Sequence, residues 1–185
     1  MLSWLHHFSS NMSPERSPNK YRFEEVVQLA KEVILRDGTH VPMLIAEGSI
    51  QGLAGHIPIM PETHEERIHF MRSAGYSTAQ SGALGFLRQV IFIGEGWMSV
   101  AEKGEAPKVR PTQDPKRKEV LIVAGLQVRE NIRELKLFEM QRNEEGALMG
   151  LQEVTPKEDE PKQADNPLLD AFAEGFQMGM RQRSN

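Results

Sequence analysis

Two histidines and two glutamates stand together at His64, Glu65, Glu66 and His69. A zinc-protease helix spaces its histidines four apart, so that both imidazoles leave one face toward one metal. Here the spacing is five, which on a helix turns the second ring about 140° away from the first. Glu66 is also claimed by a helix cap. Even with His56 recruited, no metal site is expected, nor any cofactor.

Glu95 and Trp97 share one face of a strand, close to where that strand leaves its sheet. A carboxylate beside an apolar strand end can carry a raised pKa and act as acid or base. Paired with an arginine across the sheet, it is structural instead. A hydrolase-type site would gather Glu95, Trp97, His56 and Asp114. Gly94, Glu95 and Gly96 do not form a phosphate loop, because no helix start and no Lys-Ser/Thr follows. No serine sits in a nucleophile elbow, and the catalytic residues stay unassigned. Lys103, Lys108, Arg110, Lys116, Arg117 and Lys118 crowd one loop. Glu102, Glu105 and Asp114 dilute them, and the loop has no aromatic to stack on a base. A solvated loop is expected there, not a nucleic-acid surface.

The clearest candidate for recognition is the C-terminal stretch. Leu168, Phe172, Phe176 and Met180 recur at four-residue spacing, one face of a helix. Asn166 can cap that helix and Pro167 suits its first position. Before it, residues 155–166 hold almost no apolar side chain and read as a disordered linker. An amphipathic helix on a tether is how a chain presents a docking peptide. The four anchors are therefore expected to bind a protein partner, or to associate with the chain's own sheet or with a second copy. Asp170 and Glu174 on the polar side argue against a membrane surface.

The elements that position these residues are legible from periodicity. Phe23, Val26, Val27, Ala30, Val33 and Ile34 stripe a helix from Tyr21 to Arg36, stopped by Gly38. Val41–Glu47 and Ile50–Ile57 read as a hairpin turning at Gly48 and Ser49. Pro42 belongs at a strand start or an edge, and Gly52 and Gly55 mark a bulge or a close backbone approach. Thr63 and Glu66 form a capping box opening a helix toward Ser81, which Gly75 weakens. Val90–Val100 and Glu119–Val128 are apolar on both alternating faces, as sheet-centre strands are. Ile132–Arg142 and Ala147–Val154 continue an antiparallel meander.

The expected fold is α+β: a mostly antiparallel sheet of about six strands with two main helices, plus a C-terminal amphipathic helix. Residues 1–20 read as a disordered extension, with Met12 a second possible start; residues 21–154 form the domain and residues 167–183 the terminal helix. The chain has 185 residues, a net charge of −4 and no cysteine. That composition excludes disulfides, thiolate metal sites and a cysteine nucleophile, gives no global attraction to nucleic acid, and suits a reducing compartment. No apolar run reaches the roughly 20 residues of a membrane helix. A cytoplasmic protein is expected.

Four segments carry a resemblance: Gly38–Ile45, Thr63–Arg67, Phe92–Met98 and Pro111–Val123. Together they resemble an uncharacterised bacterial protein family with a Glu-x-Trp-Met strand end and a Pro-x-x-x-Pro-x-Arg-x-Glu-Val turn. The resemblance spans roughly Phe23 to Val128 and implies a bacterial cytosolic source without implying catalytic residues. The reading that results is a non-enzymatic accessory or protein-interaction module working through its C-terminal helix, with a small hydrolase-type enzyme as the alternative.

Overall fold

The computed structural model describes residues 21–99, 113–154 and 166–183. The expected N-terminal extension, all but the last residue of the expected linker, and residues 100–112 of the basic loop lie outside them. The element order is α1 (Phe23–Asp37), β1 (Met43–Gly48), β2 (Gly52–His56), α2 (His64–Ser81), β3 (Leu87–Met98), β4 (Lys118–Gln127), β5 (Ile132–Arg142), β6 (Leu148–Glu153) and α3 (Pro167–Arg183). The strands form one sheet in the order β2-β1-β3-β4-β5-β6, and every neighbouring pair is antiparallel. The fold is thus the α+β class expected, with the third helix in place.

Alternation along the strands makes two cores. Ile91 and Ile93, Leu121 and Val123, Phe138 and Met140 point to α1, where Phe23, Val27 and Ile34 meet them. Val90 and Phe92, Ala124 and Leu126 point the other way, to α2 and α3. The central strands are apolar on both faces because both faces are covered.

Local signals end the helices where expected. Gly38 takes φ 75° and returns its N–H to the Ile34 carbonyl at 2.8 Å. Thr63 and Glu66 close the capping box that opens α2. The hairpin departs by one residue: its turn is Ser49–Ile50, and Gly48 ends β1. A Cβ on Gly48 would lie 2.0 Å from the Leu84 carbonyl oxygen, so packing against the α2–β3 loop, not turn geometry, requires glycine there. Pairing between β1 and β2 runs unbroken, without the bulge considered. Gly52 is instead a close approach, lying under the Tyr21 ring.

The larger correction concerns Gly75. Cβ atoms built on Gly75 and Gly175 would fall 2.0 Å from the Phe172 carbonyl oxygen and 1.9 Å from the Arg72 carbonyl oxygen. One on Gly179 would fall 2.7 Å from the Tyr76 carbonyl oxygen. Thus α2 and α3 cross backbone against backbone, and Gly75 is a contact surface rather than a weak point. Phe172 and Phe176 are buried in the chain's own core, with Leu168 and Met180 packed at its margin. Of the occupants considered for the four anchors, a partner, the chain's own sheet or a second copy, the chain's own sheet is the one that they meet. The cause is that α3 is apolar on more than one stripe, burying Leu169, Ala171 and Ala173 as well. Ion pairs Arg72–Glu174 at 2.9 Å and Arg133–Asp170 at 2.7 Å fix its position along α2 and β5.

Two outcomes follow. Helix propensity alone would make Gly175→Ala stabilising by about 1 kcal/mol. The backbone contact reverses the sign, and urea unfolding should show a loss of at least about 2 kcal/mol, whereas Gly150→Ala, with 3.6 Å of room, should change little. Phe172→Ala should cost about 3–5 kcal/mol by the same measurement.

Candidate functional site

At the end of the sheet where α1 stops, the α1-facing row of side chains turns from apolar to polar. Residue pairing sets Ile93 beside Met43 and Val123, Glu95 beside Leu121, and Trp97 beside Glu119. Glu95 and Trp97 thus continue the Ile91–Ile93 face beyond the cover of the helix. His56 lies on the same face, opposite Met43, and Asp114 precedes β4 at the same end.

These four residues share a region without forming a constellation. His56 is two strands and two residues away from Glu95, roughly 12 Å between Cα atoms by strand geometry. The Glu95 carboxylate instead accepts the backbone N–H of His40. Asp114 accepts the Lys116 N–H at 2.8 Å and so shapes the turn into β4. Trp97 is 44% exposed, and the Arg117 guanidinium stands 4.5 Å from its ring centre, a cation–π pair. His64 and His69, the lure in the sequence, sit exposed on α2. No group of three metal-binding side chains occurs among the described residues, and no described helix is long and apolar enough to cross a membrane.

Two residues that sequence reasoning passed over organise the region. Arg142, at the end of β5, donates through Nε and Nη2 to both oxygens of Glu119 at 2.6 and 3.2 Å. The same side chain donates to the Gly38 carbonyl at the end of α1, 3.1 Å, and to the Gly146 carbonyl of the β5–β6 turn, 3.2 Å. The bonds to Glu119 hold the guanidinium above its ordinary value. Such a fork gives orientation as well as energy. No local pattern announces Arg142, since its partners are far away in sequence. His40 is the second. It is 6% exposed, and its Nδ1 lies 2.8 Å from the Val41 carbonyl oxygen, so that nitrogen carries the proton and donates. Its only sequence signal is its place just after the helix stop.

Burial pushes the His40 imidazole below its ordinary value of 6.5. The Val41 carbonyl and Glu95 oppose that shift, and His56 adds to it. A base buried neutral stabilises the fold fully above its unfolded-state value and loses that contribution as pH falls toward its folded-state value. Urea midpoints should therefore decline as pH drops below about 6.5. The decline should be shallower in His40→Gln.

Searches among curated proteins and among solved structures found no match. A protein-family model, that of bacteriophage lambda protein ea47, matches residues 8–178. The match extends well beyond the Phe23–Val128 resemblance, taking in most of α3, and it points to a bacteriophage family where the sequence resemblance pointed to a bacterial one. Covering both helical layers and the whole sheet, it establishes that the chain belongs to the bacteriophage lambda ea47 protein family.

Proposed function

We propose that this protein is a non-enzymatic accessory module that binds a protein partner through the sheet end around Trp97. One observation carries the reading. The carboxylates available for chemistry there are each engaged in holding the fold: Glu95 by the His40 N–H, Glu119 by Arg142 and Asp114 by its turn. What faces solvent is Trp97, 44% exposed, with Arg117 over its ring. Tryptophan and arginine are the side chains most enriched where interfaces concentrate their binding energy. In this reading α3 supports the domain from within and does not reach out as a peptide. The setting is the cytoplasm of a bacterial cell, consistent with a chain that has no cysteine to oxidise.

The test is affinity capture of the full chain from bacterial cells, compared with a Trp97→Ala, Arg117→Ala double variant. A specific partner should be recovered with the wild-type chain. Its affinity should fall roughly 30-fold or more in the variant, as loss of an interface anchor implies, with thermal unfolding unchanged. Hydrolysis of a model ester or phosphoester that disappears in Glu95→Gln would overturn the reading and restore the enzyme alternative.

A further inference from the structure

The sheet has two edges, and they are built differently. At β6, pairing with β5 is interrupted at Gln141 and Arg142, and Glu153 stands on the strand, paired with Lys136 at 2.6 Å. Irregular pairing and charge are the usual devices that keep an edge from joining another sheet. At β2 neither is present. Its residues are Gly52, Leu53, Ala54, Gly55 and His56, without a proline, lysine, aspartate or glutamate. Its register with β1 is unbroken.

The hydrogen-bonding phase of β2 is fixed by its two ends. Gly48 N–H donates to the Gln51 carbonyl at 2.9 Å, and Ile57 N–H donates to the Pro42 carbonyl at 2.7 Å. Residues opposite one another alternate between bonded and non-bonded pairs. Leu53 and Gly55 therefore bond to β1, while Gly52, Ala54 and His56 aim their N–H and C=O groups outward. Among the described residues, no strand lies beyond them.

Exposed apolar side chains stand at both ends of this edge. Ile50, just before β2, is 71% exposed, and Ile59, just after it, is 80% exposed. Phe86, 74% exposed, adjoins Ile50. The two loops that carry Ile50 and Phe86 are locked together. Ser49 N–H donates to the Phe86 carbonyl at 2.9 Å, Ile50 N–H to the Leu84 carbonyl at 3.1 Å, and Phe86 N–H to the Ser49 hydroxyl at 3.0 Å. The backbone that carries Ile50 and Phe86 is thus fixed before any partner arrives, which lowers the entropy cost of binding.

We infer that β2 is a dimerisation edge, and that its occupant is β2 of a second copy of this chain, paired antiparallel about Ala54. The edge is complementary to itself. A two-fold axis at Ala54 sets Gly52 against His56 of the other copy and carries Ile50 toward the other copy's Pro58 and Ile59. No like charges face each other at neutral pH. Three exposed apolar side chains and five short strand residues per copy bury roughly 500 Å² each at most, the low end of interface sizes and suited to a weak, reversible dimer. The result is one continuous sheet of two domains, with both Trp97 surfaces left open.

Sedimentation of the full chain over a concentration series tests this. The expected result is a reversible dimer. Ala54→Pro removes one outward N–H without breaking a bond to β1, and edge strands tolerate proline there. Ile59→Asp alters only an exposed side chain outside any element. Each should weaken the dimer about tenfold or more, and the Gly52 and His56 amides should exchange faster in both variants, as should the Ala54 amide in Ile59→Asp. A chain that stays monomeric throughout, or a dimer indifferent to Ile59→Asp, overturns the inference. So does a monomer in which those three amides are protected, which would place another segment of the chain on the edge.

Discussion

The crossing of α2 and α3 is the contact on which the rest of the domain depends. Gly75, Gly175 and Gly179 let two helix backbones approach so closely that a methyl group at any of the three meets backbone or Cβ atoms of the other helix. That approach sets α3 deep enough for Leu169 and Phe172 to be almost fully buried. Without it, the face of the sheet carrying Val90, Phe92 and Leu126 would lose the aromatic half of its cover. Helix propensity is sacrificed at three positions, at about 1 kcal/mol each. The apolar burial gained by a well-seated Phe172 and Phe176 is of larger size, roughly 1.5–3 kcal/mol per side chain.

On the opposite face, the sheet is finished by polar groups rather than by a second helix. Arg142 ties the last carbonyl of α1, the Glu119 carboxylate of β4 and the β5–β6 turn to one guanidinium. Its side chain is 25% exposed and that of Glu119 23%. Partial burial of this kind makes the pair costly to split, because the survivor would be left desolvated. The neighbouring acidic and imidazole groups are likewise turned to the fold. Glu95 satisfies the His40 N–H, and His40 itself is held by the Val41 carbonyl.

Much of the fold was legible because it is local. The capping box at Thr63, the glycine stop at Gly38 and the double alternation of β3 and β4 each involve residues within a few positions of one another. Strand count, the β1–β2 hairpin and the meander from β3 to β6 follow from those signals, whereas the pairing of β1 with β3 joins segments on either side of α2. The readings that differed were those of two glycines, Gly48 and Gly75. Gly48, Gly75 and Gly175 look alike in sequence to glycines that merely turn or loosen a chain. Their role is set by Leu84, Phe172 and Arg72, which are remote from them along the chain.

The sequence by itself therefore determined which segments become helices and strands, which faces of them are apolar, and that Glu95 and Trp97 share one face of β3 near its end. Tertiary structure decided what those faces meet. An amphipathic stripe states that a surface must be buried but not against what, since hydrophobic burial is non-directional. Whether Leu168, Phe172, Phe176 and Met180 cover a partner or their own sheet was settled by backbone proximity between two helices. That Glu95 braces the fold was decided by an amide donor from the segment joining α1 to β1. Both answers rest on pairs of residues that only folding brings within hydrogen-bonding or van der Waals distance.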